Sequence, residues 1–310
     1  MPPLIAILGP TGSGKSDLAL AVAERHSGEI VNFDSIQVYR HFSIGAAKLS
    51  TAQRRGIPHH LIDILEPGEV FTAGEFARRA AETVREILSR GRLPILAGGT
   101  GFYLRALLDG LFPGPTRDEN LRRRLARRSP ERLHRLLRRY DRAAAERIHP
   151  HDVPKMIRAL EVTILARQPI TELFAAGRRP LLEDVPVLKI GLLPDRDALY
   201  ERINRRTVAM FASGLLDEVR SILALGYPPT LKPFESHGYR QALQHLQGGL
   251  SLQDAVFYAQ RNTRQYAKRQ ITWFRRERDV QWFHGFGDNP AIQQQVLVRV
   301  QNVIPTRNSA

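Results

Sequence analysis

Lys15 and Ser16 close the stretch Gly9-Pro10-Thr11-Gly12-Ser13-Gly14-Lys15-Ser16, which fits G-x-x-x-x-G-K-[ST] at every position. The chemistry of that pattern is phosphate capture. Its glycines let successive backbone N–H groups turn inward to phosphate oxygens, and a following helix adds positive potential. Lys15 supplies a mobile charge, and the Ser16 hydroxyl is placed to hold Mg²⁺. A carboxylate follows at Asp34, in Asp34-Ser35-Ile36-Gln37-Val38-Tyr39-Arg40. There it could hold magnesium-bound water or take a proton from a nucleophile, or it could simply cap a helix starting at Ser35. A third candidate is Gly98-Gly99-Thr100-Gly101, where an ATPase of this type would carry an acidic residue. Glycines there admit a substrate to the backbone, and the Thr100 hydroxyl offers one neutral hydrogen bond. The set suits gripping a diphosphate more than hydrolysing ATP.

These groups need a scaffold that brings them together. Apolar runs at residues 4–8, 29–33 and 93–97 read as strands, and each ends at one of the candidate segments. Ligands of open α/β sheets sit at the carboxyl ends of parallel strands, so the three segments should line one cleft. Residues 17–25 read as a helix after the P-loop. Residues 71–90 read as another, with Phe76, Ala80, Val84, Ile87 and Leu88 as its apolar stripe. Pro113-Gly114-Pro115 breaks the alternation. From 116 to about 179, arginines including Arg122, Arg138 and Arg139 surround a thin leucine seam, which reads as an inserted all-helical domain. Residues 185–193 return as a strand, 199–225 as one long helix or two, and residues after Pro290 as a last helix that frays beyond Pro305. The fold class is therefore α/β, a P-loop NTPase-like parallel sheet with an inserted helical domain. The expected division is 1–115, 116–180 and 181–310, the last returning to the core with basic C-terminal helices.

The chain has 310 residues, 46 Lys and Arg against 31 Asp and Glu, and a formal charge of +15. Such a balance fits a polyanionic partner, nucleic acid or an anionic membrane. There is no cysteine, which excludes disulfides, thiol catalysis and Cys-ligated zinc. No run is long enough for a membrane span, and the N-terminus enters a core strand directly, so a cytoplasmic protein is expected. Between residues 254 and 278, Arg261, Arg264, Lys268 and Arg275 share one helical side, with Tyr266, Trp273 and Trp282 interleaved, and this reads as a phosphate-contacting face. His59-His60 and His149-Pro150-His151 lack ligand-spaced partners and read as structural.

The P-loop, residues 34–40, Ile57-Pro58-His59-His60-Leu61-Ile62-Asp63 and Gly98-Gly99-Thr100-Gly101-Phe102-Tyr103-Leu104 together resemble the tRNA dimethylallyltransferases. His149-Pro150, Arg158-Ala159-Leu160-Glu161, Gly238-Tyr239-Arg240-Gln241 and residues 263–275 extend the resemblance in the same order, from about 4 to 275. Ala46 stands where the family has a hydroxyl residue, and Pro154 in a stretch that is more basic there. The absence of a cysteine-bearing zinc finger is similar to the bacterial type. The resemblance implies transfer of a dimethylallyl group from dimethylallyl diphosphate to N6 of the adenosine 3′ of the anticodon. The tRNAs would be those reading codons that begin with U.

It further implies diphosphate binding by Gly9, Thr11, Gly12, Ser13, Gly14, Lys15 and Ser16, with Arg202 and Arg206 facing the diphosphate channel. Catalysis would fall to Asp34, Thr100 and Lys15, with Mg²⁺ on Ser16. The tRNA contacts it implies are Asp34, Ser35, Ile36, Gln37, Thr100, Arg122, Pro154, Lys155, Met156, Ile157, Arg158, Gly238, Tyr239, Arg240 and Gln241, then Arg264, Lys268, Arg269, Gln270, Trp273 and Arg275. The partners would be the anticodon stem-loop and dimethylallyl diphosphate, bound by a monomer. A small-molecule P-loop kinase, or an enzyme that prenylates free adenylate, could use the same loop, but either leaves the Arg-rich insertion without a purpose. A GTPase-like RNA-binding module would need a guanine-reading N-K-x-D, and none is present.

Overall fold

Three five-residue strands, β1 (Leu4–Leu8), β2 (Gly28–Asn32) and β4 (Leu93–Ala97), form the centre of the sheet, with the two-residue β3 (His59–His60) outside β2. β1 and β2 are buried at every position, and β4 at all but its last residue. Strands covered on both faces read as continuous apolar runs, which is why they were legible. In this computed structural model, which describes residues 2–304, the order is β3-β2-β4-β1-β5-β6, and every pairing is parallel. β5 is Val187–Leu192 and β6 is Val280–Phe283. The parallel core of the expected fold class is thus present. β2 starts one residue earlier than expected, and the edge strands β3 and β6 are too short to carry a periodic signal.

Helix α1 (Lys15–His26) and helix α13 (Pro290–Gln301) cover one face. Leu18, Val22, Ile292 and Val296 pack there with Ile5, Ile7, Ile95 and Ile190. α2 (Ala73–Ser89) packs on β2 and β4, and its Thr72 cap accepts from the Glu75 N–H at 3.1 Å. α3 (Gly101–Leu108) follows β4. The stretch expected as one or two helices is two, α9 (Arg196–Ala212) and α10 (Leu215–Ala224), broken at Gly214. A 3₁₀ turn (Lys232–Glu235), α11 (Tyr239–Leu246) and the long α12 (Leu252–Phe274) lead to β6.

The chain divides into two compact units, residues 1–107 with 182–310, and residues 108–181. The second is helical: α4 (Glu119–Ala126), α5 (Pro130–Tyr140), α6 (Arg142–Arg147), α7 (Val153–Ala166) and α8 (Ile170–Ala175). Asp118, Ser129, Asp141 and Asp152 cap the first four of these with side-chain oxygens. Leu133, Leu137, Met156 and Leu160 make its core, while most of the α4 and α5 arginines are exposed. Among the described residues, no helix is long and apolar enough to cross a membrane. The expected fraying beyond Pro305 falls outside the described residues.

Candidate active site

The P-loop is held open by partners far along the chain. Gln270, on α12 and 5% exposed, accepts from the Thr11 N–H at 2.8 Å and donates to the Gly99 carbonyl at 2.8 Å. The Gly287 N–H donates to the Ser13 carbonyl at 2.8 Å. Gly14 has φ +81, and a Cβ there would lie 2.8 Å from the Gly287 nitrogen, so only glycine fits this junction. The loop, residues 32–37, 45–47 and 97–99, and α9 enclose a cavity of about 520 Å³.

Within it, Lys15 donates to the Pro10 carbonyl at 2.7 Å. Its charged end is crowded by protein, and that burial, with Arg206 nearby, pushes its pKa down to about 7 although Asp34 works the other way. Arg206 donates to the Thr11 hydroxyl at 2.6 Å, and burial lowers its pKa too. Arg202 also lines the cavity, paired with Asp288 at 2.7 Å and lying 3.7 Å over the Phe286 ring. Lys15, Arg206 and Arg202 line the cavity with two carboxylates, Asp17 and Asp34, and Asp34 is the one that acts on both Lys15 and Arg206. That imbalance suits a polyanion.

Asp34 follows β2 and is fixed at both ends. Its N–H donates to Asn32 Oδ1 at 3.0 Å, and its Oδ1 accepts from the Ile36 and Gln37 N–H groups at 2.8 and 3.3 Å. The segment forms a turn and no helix, so Asp34 closes a turn and caps no helix at Ser35. Oδ1 holds the turn, which leaves Oδ2 for a proton.

The expected site residues separate into groups. Thr11, Gly12, Gly14, Lys15, Ser16, Asp34, Ser35, Ile36, Gln37, Arg202, Arg206, Gly238 and Gln270 line the cavity. Thr100 is half-buried beside them, and its Oγ1 accepts from the Ser35 N–H at 3.1 Å, which ties it to the Asp34 turn. Gly99 is glycine because a Cβ would lie 2.4 Å from Gln270 Nε2, so its role is close packing beyond substrate access. Gln270 itself is a buried tie, its amide committed at both ends, and its expected RNA contact is corrected. Tyr239 and Gln241 are likewise core residues, 0% and 2% exposed, and Met156 and Ile157 are buried in the helical unit, so these four side chains are unavailable to RNA.

Arg122 and Arg158 both donate to the buried Glu161, at 3.0 and 2.7 Å. Pro154 and Lys155 lie exposed in the first turn of α7, with Lys155 paired to Asp152. On α12, Arg264 is half-buried and bonded to Asn204 of α9, unlike the free face expected. Arg240, Lys268, Arg269 and Arg275 are exposed, and Trp273 is half-buried under Arg105 at 4.7 Å.

A sequence profile described as IPP transferase matches residues 37–277. The chain belongs to the IPP transferase family. A tRNA dimethylallyltransferase of Solibacter usitatus is 62% identical, over 96% of this chain and 98% of its own length. One from Koribacter versatilis is 56% identical, over 94% and 95%. Among solved structures, the tRNA isopentenylpyrophosphate transferase of Bacillus halodurans is 36% identical with a TM-score of 0.71, covering 97% of this chain and 98% of its own.

In this IPP transferase, Asn32, Met210, Phe211 and His237 on the cavity wall carried no signal in the sequence, and Tyr266, read as part of the basic face, lines the cavity with Thr263. The Tyr266 hydroxyl is pushed up by burial and by Asp34, and the His237 imidazole down by burial, Arg269 and Arg240. Asp288 was missed as well; the glycines at 285 and 287 ahead of it were the one available signal. Among the described residues no three His, Cys, Asp or Glu side chains gather as a metal cage. The donors that fit Mg²⁺ are the Ser16 hydroxyl and the carboxylates lining the same cavity, which suits an ion held mostly by phosphate and water.

Proposed function

We propose that this chain transfers a dimethylallyl group from dimethylallyl diphosphate to N6 of the adenosine 3′ of the anticodon in tRNA. The observation that carries the reading is the pair of enclosed cations, Lys15 and Arg206, opposite Asp34 in one cavity. The P-loop amides, Lys15, Arg206 and Arg202 receive the diphosphate and stabilise the charge that grows on it as the C–O bond breaks. The electron pair leaves with the diphosphate, the amine nitrogen bonds to the allylic carbon, and Asp34 takes the proton that nitrogen sheds. When bound, Mg²⁺ on Ser16 would add neutralising charge to the leaving group.

The target adenosine must leave its stack to reach this depth, and the turn at residues 34–37 reads its edge. Exposed Lys268 and Arg275 on α12 and the arginines of the helical unit contact RNA phosphates.

The test is to incubate the protein with labelled dimethylallyl diphosphate and either tRNA or AMP. Label should enter tRNA alone. Label in AMP would move the assignment to a free-nucleotide prenyltransferase, and substrate-stimulated ATP hydrolysis would move it to a kinase.

A further inference from the structure

Glu218 lies on α10, and its carboxylate collects four donors. Oε2 accepts from the Ser43 and Ile44 N–H groups at 3.0 and 2.7 Å. Oε1 accepts from the Gly45 N–H at 3.4 Å and from the Tyr239 hydroxyl. Three successive backbone amides on one carboxylate fix a loop as firmly as a helix cap fixes a helix. Tyr239 is fully buried and packs edge-on against Phe42 at 4.8 Å, which in turn meets Phe234 at 5.1 Å. A Cβ on Gly45 would lie 2.5 Å from the Tyr239 ring, so the loop is seated on that ring. Burial and Glu218 together raise the Tyr239 pKa, so the hydroxyl stays a donor.

The fixed loop has a consequence in the cavity. Gln37 Nε2 donates to the Ala46 carbonyl at 3.0 Å and reaches the Ala47 carbonyl at 3.5 Å. Two carbonyl oxygens on that side decide which way the amide points: Nε2 faces the loop and Oε1 faces away. The same residue's N–H donates to Asp34 Oδ1. We propose that Glu218 and Tyr239 are positioning residues that hold the 43–47 loop so that Gln37 presents a hydrogen-bond acceptor, selecting a base with an exocyclic amine. This rests on the proposed function. The amine of adenine carries two hydrogens, one for Asp34 and one for Gln37 Oε1. A base with a carbonyl at that place would meet two acceptors and be rejected.

The experiment compares binding of two anticodon stem-loops, with adenosine or with purine riboside at the target position, in the presence of inorganic pyrophosphate. The wild type should prefer adenosine by roughly tenfold, one good hydrogen bond. Glu218→Ala should cut that preference threefold or more, while the KM for dimethylallyl diphosphate stays within about twofold. Glu218→Gln keeps an acceptor for the Ser43 and Ile44 amides and should retain the preference. If Glu218→Ala does not fold, Tyr239→Phe carries the test and should lower the preference by about twofold. A Glu218→Ala preference reduced less than threefold, or a wild type without the preference, overturns the inference. Label transfer to tRNA by the wild type is scored separately, so loss of the proposed function is distinguishable from loss of this one.

Discussion

Two charged clusters, one in each unit, look alike in composition and differ in balance. In the sheet unit, Lys15 and Arg206 face Asp34, and the cations find mainly neutral partners, the Pro10 carbonyl and the Thr11 hydroxyl. In the helical unit the carboxylate of Glu161, 0% exposed, accepts from Arg122, Arg158 and the Asp118 N–H. Burial alone would raise the Glu161 pKa, but the bonds from Arg158, the Asp118 amide and Arg122 outweigh it and hold it low. The first cluster has charge left over and an open cavity beside it. The second is saturated. An enclosed cluster that is short of counter-charge marks a place for a ligand, whereas a complete one marks a joint of the architecture.

Breaking each cluster should separate the two meanings. Asp34→Asn keeps size and turn bonding but cannot take a proton, so kcat should fall by roughly 10²–10⁴-fold with little change in the KM for dimethylallyl diphosphate. A loss confined to KM would assign Asp34 to binding. Glu161→Ala leaves two guanidinium groups unpaired and should cost about 3 kcal/mol, the low end for a broken buried pair because both arginines reach water. The expected readout is a lower unfolding midpoint in urea, with an unchanged KM for dimethylallyl diphosphate; a normal midpoint would mean that the joint is not structural.

The third prediction concerns pH. The Lys15 pKa is lowered from 10.5 to about 7 in the folded protein, so the folded chain holds fewer protons than the unfolded one between those values. Through this group stability rises with pH across that window, and below about pH 7 the full cost of the enclosed cation is present. A bound diphosphate reverses the preference by stabilising the charged form. Pyrophosphate binding above pH 7 should therefore take up a proton, and affinity should fall up to about tenfold per pH unit. Calorimetry in buffers of different ionisation enthalpy measures the uptake, and Lys15→Arg should abolish it. The smallest effect belongs to the exposed face of α12. Lys268→Ala with Arg275→Ala should flatten the salt dependence of tRNA binding by about one unit or less per charge. Unchanged affinity and slope would make that face merely solvated. Arg264 is left out because its bond to Asn204 ties it to α9.

What the sequence disclosed was whatever the chain writes contiguously. The P-loop, the Asp34 turn and the apolar strands β1, β2 and β4 are local patterns, and the sheet brings them together. What stayed hidden depends on long separations. Gln270 stood among the tRNA contacts that the resemblance implies, and only the fold makes it the tie between Thr11 and Gly99. Glu218 belongs to no pattern in the sequence, and only the fold makes it the anchor of residues 43–45. Met156 and Tyr239, within motifs that resemble RNA contacts, are buried in their cores. A motif match reports that a segment matters without saying whether its side chain faces a ligand or a neighbour.

The contacts of Thr11 with Gln270 and of Ser13 with Gly287 bear on how the protein is made. A chain is synthesised from its N-terminus, so the P-loop is among the first segments to leave the ribosome. Its partner at Gln270 is 259 residues away. Throughout most of translation the nascent chain therefore carries the phosphate-binding motif in sequence but not in shape. A chain that ends before Gln270 lacks the group that holds the Thr11 amide, and one that ends before Gly287 lacks the amide that binds the Ser13 carbonyl. Loops closed over such distances also form late in folding, so full binding of pyrophosphate would serve as a report that the last strand has docked.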